Sequence, residues 1–256
     1  MMLAELGGKV STAVRQSEDI LTSYAFGVIE VLDPAVLLLP WLHRARRLDG
    51  SALDLVSAVS AAQICWPTLE LGGAGVEPDV LLTLTGSDGA TTVVLVEAKF
   101  RSGPSGWPTG PDIEEVTGQL GRQWLALSAL APHLAPGGPP AIHRRIMVYL
   151  TADLRRPVDV LASMVDEVRK AGNDPEEFRR SLYWLSWRDL ALVIGDSPAR
   201  GVLVGRLKAL LAGRSLSVFA GCRAPVCLAP HWTYARPRYA LGPPSAVNIA
   251  WQYGAS

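Results

Sequence analysis

Several ordinary features are scarce in this chain, and each scarcity excludes something. Only three cysteines occur, Cys65, Cys222 and Cys227. That is too few for the disulfide framework of a small secreted domain and fits a reducing compartment. Neither sign of charge is in excess, since 24 basic and 24 acidic residues leave a formal net charge of zero. This argues against an all-over basic coat for nucleic acid but leaves room for a local basic groove. No apolar run approaches the roughly 18 residues that span a bilayer. The longest candidate, 36–42, is interrupted by Pro40 and followed by His43 and Arg44. The opening MMLAELGGKV lacks the basic-then-apolar layout of a secretory leader. The expectation is a soluble cytoplasmic protein. Lysine is scarce too: of the basic residues only Lys9, Lys99, Lys170 and Lys208 are lysine, so a lysine on an apolar strand stands out.

Apolar residue is plentiful. With 49% hydrophobic residues over 256 positions, the chain can bury a core of one or two domains and is not disordered. Residues 11–32 read as a helix whose stripe Leu21, Ala25, Val28 and Leu32 ends at Asp33-Pro34. One turn back the same stripe reaches Glu18. A short Ala/Ser-rich helix is predicted over 51–62 and a strand over 64–71, with Pro67 making it an edge or irregular strand. GGAG at 72–75 reads as a loop.

The strongest strand signals are 80–85 and 91–100, joined by Gly86-Ser87-Asp88-Gly89, a hairpin signature. A helix over 112–130, a strand over 145–151 and a helix over 158–171 follow. A strand over 181–186, further helix from 189 to 194 and a helix over 201–212 complete the pattern. Beyond about 220, Pro, Gly and aromatic residues replace periodicity. That segment, 221–256, is expected to be irregular and packed on the 1–220 domain through Trp232, Tyr234 and Trp251. The order implies a mixed α/β core, a central sheet with helices against it.

The 78–100 hairpin carries the chemistry. If its strands pair symmetrically about Asp88, Asp79 stands opposite Glu97, each nine residues from the turn centre. Directly opposed residues have Cβ atoms about 4.5–5.5 Å apart. Lys99, two positions beyond Glu97, leaves the same face. A slip of one residue would send Asp79 to the other face, so the arrangement requires a turn of odd length. Two carboxylates that close repel unless a proton or cation intervenes. A hard cation such as Mg²⁺ suits them, with water and phosphate oxygens completing its shell.

Pro78-Asp79 followed by Glu97-Ala98-Lys99 at the end of an apolar strand resembles the PD-(D/E)XK nuclease superfamily, the restriction-endonuclease-like fold. The order helix, three strands, helix, strand over about 11–152 is similar to that family's core. The resemblance implies that Asp79, Glu97 and the Ala98 carbonyl hold a divalent metal, Mg²⁺ or Mn²⁺. It implies that Lys99 orients the attacking water or steadies charge on the phosphate. Glu18 matches an acid that several branches carry on the first helix, and Gln119 and Gln123 resemble glutamines that some branches place near the site or DNA. Gly118 stands where an acid is expected in some relatives, so this helix matches more loosely.

Each residue also has a simpler role. Asp79 suits a turn before a strand, Glu97 and Lys99 suit a salt bridge, and Glu18 suits the first turn of any helix. Gln119 and Gln123 suit the boundary of an amphipathic helix. Glu70 and Glu77 read as solvated, and Asp112, Glu114 and Glu115 as an acidic first turn. Cys222, Cys227 and His231 have the wrong spacing for zinc and no fourth ligand. Tyr183, Trp184 and Trp187 read as core. Arg44, Arg46, Arg47, Arg101, Arg122, Arg144, Arg145, Arg155 and Arg156 suit either a phosphate track or an ordinary surface.

Taken jointly, these residues predict a metal-dependent nuclease acting on DNA more than RNA, with bacterial defence or DNA processing as an implied setting. A silent nucleic-acid-binding or assembly module of the same fold is the alternative, and hydrolysis of another phosphate a third reading. Family members often act as dimers, but no dimer surface or partner protein is identifiable.

Overall fold

The structure is a computed structural model that describes residues 5–9, 17–55, 58–71, 74–100, 111–130, 142–170, 173–198 and 201–217. Its centre is an open five-stranded mixed sheet in the order β1-β4-β5-β6-β7, built from β1 (Ala58–Cys65), β4 (Val80–Gly86), β5 (Thr91–Ala98), β6 (Ile142–Thr151) and β7 (Leu182–Ser186). β1, β4 and β5 are antiparallel neighbours. β6 and β7 continue the sheet in parallel. The connection from β5 to β6 contains α3 (Pro111–Leu130), as a parallel pair requires a crossover.

Both faces of the sheet are covered, which is why β5 reads TTVVLVEA without alternation. Val93, Val94, Leu95 and Val96 are all at most 1% exposed. One face packs on α1 (Glu18–Glu30), α2 (Leu38–Leu42), α6 (Trp187–Asp196) and α7 (Val202–Gly213) through residues such as Leu21, Trp41, Val96 and Leu207. The other packs on α3 and α4 (Val158–Lys170) through Leu81, Leu95, Trp124 and Met164. Tyr183, Trp184 and Trp187 are core residues, as expected.

The β4–β5 hairpin has the register expected from the sequence, with pairs running from Thr85↔Thr91 to Val80↔Val96. Gly86 and Ala90 close a three-residue turn by a 2.8 Å backbone hydrogen bond. Gly89 takes φ +78° there, the left-handed position a three-residue hairpin loop requires. The odd loop length puts Asp79, Leu81 and Glu97 on the α3 side of the sheet.

Other expectations are corrected. The predicted 51–62 helix does not form: 58–65 is β1, an eight-residue edge strand. Pairing along β4 overrides the helix propensity of its alanines and serines. The predicted 64–71 strand is two elements. β1 ends at Cys65, and Trp66, before Pro67, takes φ +50°. A proline disfavours the helical region for its predecessor and lacks an N–H for the ladder. Beyond it β2 (Leu69–Leu71) pairs with β3 (Ala74–Val76), so part of the predicted 72–75 loop is strand.

The first described helix begins at Glu18 rather than 11, with Ser17 as N-cap; 10–16 lie outside the described residues. Helix α5 (Pro175–Ser181), capped by Asp174, was not anticipated. The far edge of the sheet is closed by the chain itself, since Arg46 and Trp184 exchange two 2.8 Å backbone bonds.

The chain divides into Met1–Phe219 and a second unit, Ala220–Ser256. The second unit lies outside the described residues, as do Cys222, Cys227, His231 and the aromatic tail. No helix among the described residues is long and apolar enough to cross a membrane.

Candidate functional site

Three chain segments converge at the carboxyl ends of β5 and β6, where α/β sheets open a crevice. Asp79 directly precedes β4, Glu97 is the penultimate residue of β5, and Lys99 follows it. The ladder runs on past β5, since the Lys99 N–H donates to the Leu150 carbonyl at 2.6 Å. Asp79 Oδ2 accepts from the Ala98 N–H at 2.7 Å, which ties the start of β4 to the end of β5. Lys99 Nζ bridges two acids, Glu97 Oε1 at 2.8 Å and Glu18 Oε1 at 3.1 Å. The second Glu18 oxygen accepts from the Phe100 N–H at 3.1 Å. Glu18 lies in the first turn of α1, so one residue both complements the helix end and reaches the lysine.

Glu97 is 2% exposed. A carboxylate that buried needs partners for both oxygens. Lys99 supplies one, and Gln123 Nε2 on α3 supplies the other at 2.7 Å. Gln123 is fully buried, and its Oε1 is sealed from solvent without a hydrogen-bond partner. Of the two glutamines, Gln123 therefore reaches the carboxylates. The Gln119 side chain, one turn earlier and half-buried, makes no hydrogen bond to the described residues.

Burial and the neighbouring Glu97 push the Asp79 carboxyl up to about 7, against the Ala98 N–H and Lys99, which favour the charged form. Burial alone would lower Lys99, but Glu97 and Glu18 outweigh it and hold the ammonium well above its ordinary value. The cluster is thus a protonated lysine among crowded acids, with the Asp79 carboxyl held well above the ordinary carboxylate range.

A stability prediction follows. The ordinary Asp79 value is 3.8 and the folded one about 7, so between these limits the folded state holds a proton that the unfolded state lacks. Stability without divalent metal then falls as pH rises through this window. Asp79→Asn should remove that dependence and gain on the order of 2 kcal/mol at pH 8, less than the full linkage value because the carboxyl is partly exposed. Denaturant midpoints of both proteins at pH 5 and pH 8, in chelator, test this. Parallel pH profiles would refute it.

Two carboxylates and the Ala98 carbonyl are an all-oxygen donor set of the kind Mg²⁺ takes. The Asp79–Glu97 repulsion is what a bound dication would relieve. Among the described residues no group of three or more His, Cys, Asp and Glu forms a ready-made cage. Lys99, wedged between Glu97 and Glu18, holds those acids as ion-pair partners instead.

The N-terminal end of α1 is anchored from behind. Arg214 donates to both Glu5 oxygens, Nε to Oε1 at 2.9 Å and Nη2 to Oε2 at 3.0 Å, with side chains 2% and 5% exposed. Its Nη1 donates to the Ser17 carbonyl at 3.0 Å, and its guanidinium lies 5.2 Å from the Phe100 ring centroid. The residues on either side of this clamp, Glu18 and Phe100, are the two that meet at the site.

Most arginines of the suggested phosphate track have structural partners. Arg44 pairs with Asp189. Arg46 donates to the His43 and Ala45 carbonyls. Arg47 and Arg144 both donate to the Tyr183 hydroxyl. Arg145 pairs with Glu177 and lies over Trp124. Arg144 and Arg145 pair with Thr92 and Val93, at the opposite end of β5 from Glu97. Arg122 and Arg155 are exposed and Arg156 is half-buried; Arg101 lies outside the described residues. Glu77 is exposed, and the side chains of Glu70, Asp112, Glu114 and Glu115 lie outside the described set.

Two groups near the site were not singled out from the sequence. Tyr149 pairs with Glu97 across the parallel ladder, and the half-buried Asp153 follows β6, its carboxyl raised by burial. Their strand was legible, but their nearness to Glu97 depends on the β5–β6 register. No family model, curated protein or solved structure matches the chain.

Proposed function

We propose that this chain is a metal-dependent nuclease of the PD-(D/E)XK type, hydrolysing phosphodiester bonds in DNA. The reading is carried by one observation: Asp79, Glu97, Lys99 and Glu18, drawn from three separate segments, converge at the end of a central strand. A plain strand-end salt bridge would need Glu97 and Lys99 alone. The order helix, antiparallel strands, crossover helix, parallel strand also suits the restriction-endonuclease-like fold.

Asp79, Glu97 and the Ala98 carbonyl would hold the metal. A bound Mg²⁺ supplies a more acidic water and a polarised phosphoryl oxygen. The chain's own residues do the rest. Gln123 keeps Glu97 oriented by its 2.7 Å bond. The Lys99 ammonium, fixed by Glu18, supplies positive charge for the phosphate. Water attacks in line, with no covalent enzyme intermediate.

Purified protein incubated with plasmid, linear DNA, single strands and RNA, with Mg²⁺ or Mn²⁺ against chelator, tests the reading. Cleavage that requires metal is expected. A second reading, a binding module without chemistry, draws on the Lys99 ion pairs that already satisfy Glu97 and Glu18; binding without cleavage under every metal would favour it. If exposed arginines such as Arg155 bind phosphates, log affinity for DNA should fall linearly with log salt. Affinity that stays flat between 50 and 200 mM salt, about the range over which a phosphate-binding protein weakens strongly, would count against DNA as substrate.

A further inference from the structure

Tyr149 sits on β6 directly across the parallel ladder from Glu97, on the sheet face covered by α3. It is 2% exposed. A tyrosine buried that deeply ordinarily gives its hydroxyl a partner. Here the hydroxyl makes no hydrogen bond among the described residues, nor is it among the polar atoms sealed from solvent without a partner. Burial pushes the pKa of the Tyr149 hydroxyl above the ordinary tyrosine value, and the charged groups around it are Lys99, Asp153, Glu97 and Glu18. Tyr149 thus stands beside Glu97 and the Lys99 charge as a neutral donor whose hydroxyl has no hydrogen bond to any described residue. The carboxylates beside it are already engaged: Glu97 with Lys99 and Gln123, and Asp79 with the Ala98 N–H.

We propose that the Tyr149 hydroxyl is a phosphate-binding group of this site, donating to a non-bridging oxygen of the scissile phosphate beside Lys99. The proposal rests on the nuclease reading and adds a residue to it. A neutral donor suits the position, since it engages a phosphate oxygen without adding a second cation that would compete with the metal for the carboxylates. The aromatic ring, packed in the core, holds the hydroxyl in place with little conformational freedom to lose on binding.

The test uses the full chain as wild type, Tyr149→Phe, Lys99→Gln and Asp79→Asn. Fluorescence anisotropy with a short labelled oligodeoxynucleotide in Ca²⁺ reads binding apart from turnover, and inorganic phosphate as competitor separates a plain anion site from a phosphodiester site. Tyr149→Phe should raise Kd about tenfold or more, as expected for a lost hydrogen bond to a charged group. It should raise KM in Mg²⁺ while the melting temperature moves by less than about 2 °C.

An ultraviolet difference spectrum on adding oligonucleotide, compared between wild type and Tyr149→Phe, reads the same contact; a tyrosine band shift seen in the wild type and lost in Tyr149→Phe supports it, and an identical shift in both overturns it. Unchanged Kd and KM in Tyr149→Phe, with Lys99→Gln weakened and Asp79→Asn inactive, overturn the role of Tyr149 while the nuclease reading stands. If Asp79→Asn cleaves like the wild type, the nuclease reading fails and the proposal falls with it.

Discussion

Asp79→Ala and Glu97→Ala are each expected to cut metal-dependent cleavage by about 10³-fold or more. Metal-assisted stabilisation of a phosphoryl transition state amounts to several kcal/mol, and each 1.4 kcal/mol or so is a factor of ten in rate. Removing either carboxylate takes away half of the charged donor pair. The two substitutions differ in their structural cost. Asp79→Ala frees one backbone N–H, that of Ala98, whose partner carboxyl is half-buried. Glu97→Ala empties a site 2% exposed and leaves the buried Gln123 amide unpartnered at both ends. That costs about 1–3 kcal/mol of stability. Glu97→Gln, which keeps shape and an acceptor, is the cleaner companion. Initial rates on plasmid DNA at saturating Mg²⁺, with far-ultraviolet circular dichroism as the folding control, decide the matter. A folded Asp79→Ala protein with wild-type rate would end the assignment.

Breaking the Glu5–Arg214 pair is the second large effect. With side chains 5% and 2% exposed, Glu5→Leu would leave a buried guanidinium whose remaining acceptor among the described residues is the Ser17 carbonyl. Loss of one partner from a buried pair typically costs about 3–5 kcal/mol. The double variant Glu5→Leu with Arg214→Met should recover most of this, because two apolar residues leave no charge to solvate. Denaturant unfolding of the single and double variants measures both. A loss below about 1 kcal/mol in Glu5→Leu would show that the pair is hydrated like a surface bridge. The consequence reaches the site: Arg214 holds Ser17, Ser17 caps α1, and the next residue is Glu18. The single variant should therefore also weaken the Glu18–Lys99 contact.

What was legible in the sequence was set by short-range geometry. A three-residue turn with Gly89 in its left-handed position determines the hairpin register, and the register puts Asp79 and Glu97 on one face. β5 announced its central place by being apolar on both faces. The misread stretch, 51–71, lacked such local instruction. Its alanines and serines favour a helix in isolation, and only pairing with β4 makes 58–65 a strand. Trp66 breaks the next strand by taking φ +50°, and Pro67 after it has no N–H to continue the ladder.

The hairpin sequence by itself determined that two acids and a lysine share one face given a turn of odd length, because the side-chain period is two; the structure supplies that turn. Which further groups meet them was decided only by tertiary structure. Gln123 rather than Gln119 reaches Glu97 because of where α3 lies along the sheet. Tyr149 faces Glu97 because β6 runs parallel to β5 in one register out of several. Glu18 reaches Lys99 because α1 is anchored at its start by Arg214, almost 200 residues later. Contacts between distant segments depend on how whole elements pack, and no local periodicity encodes that.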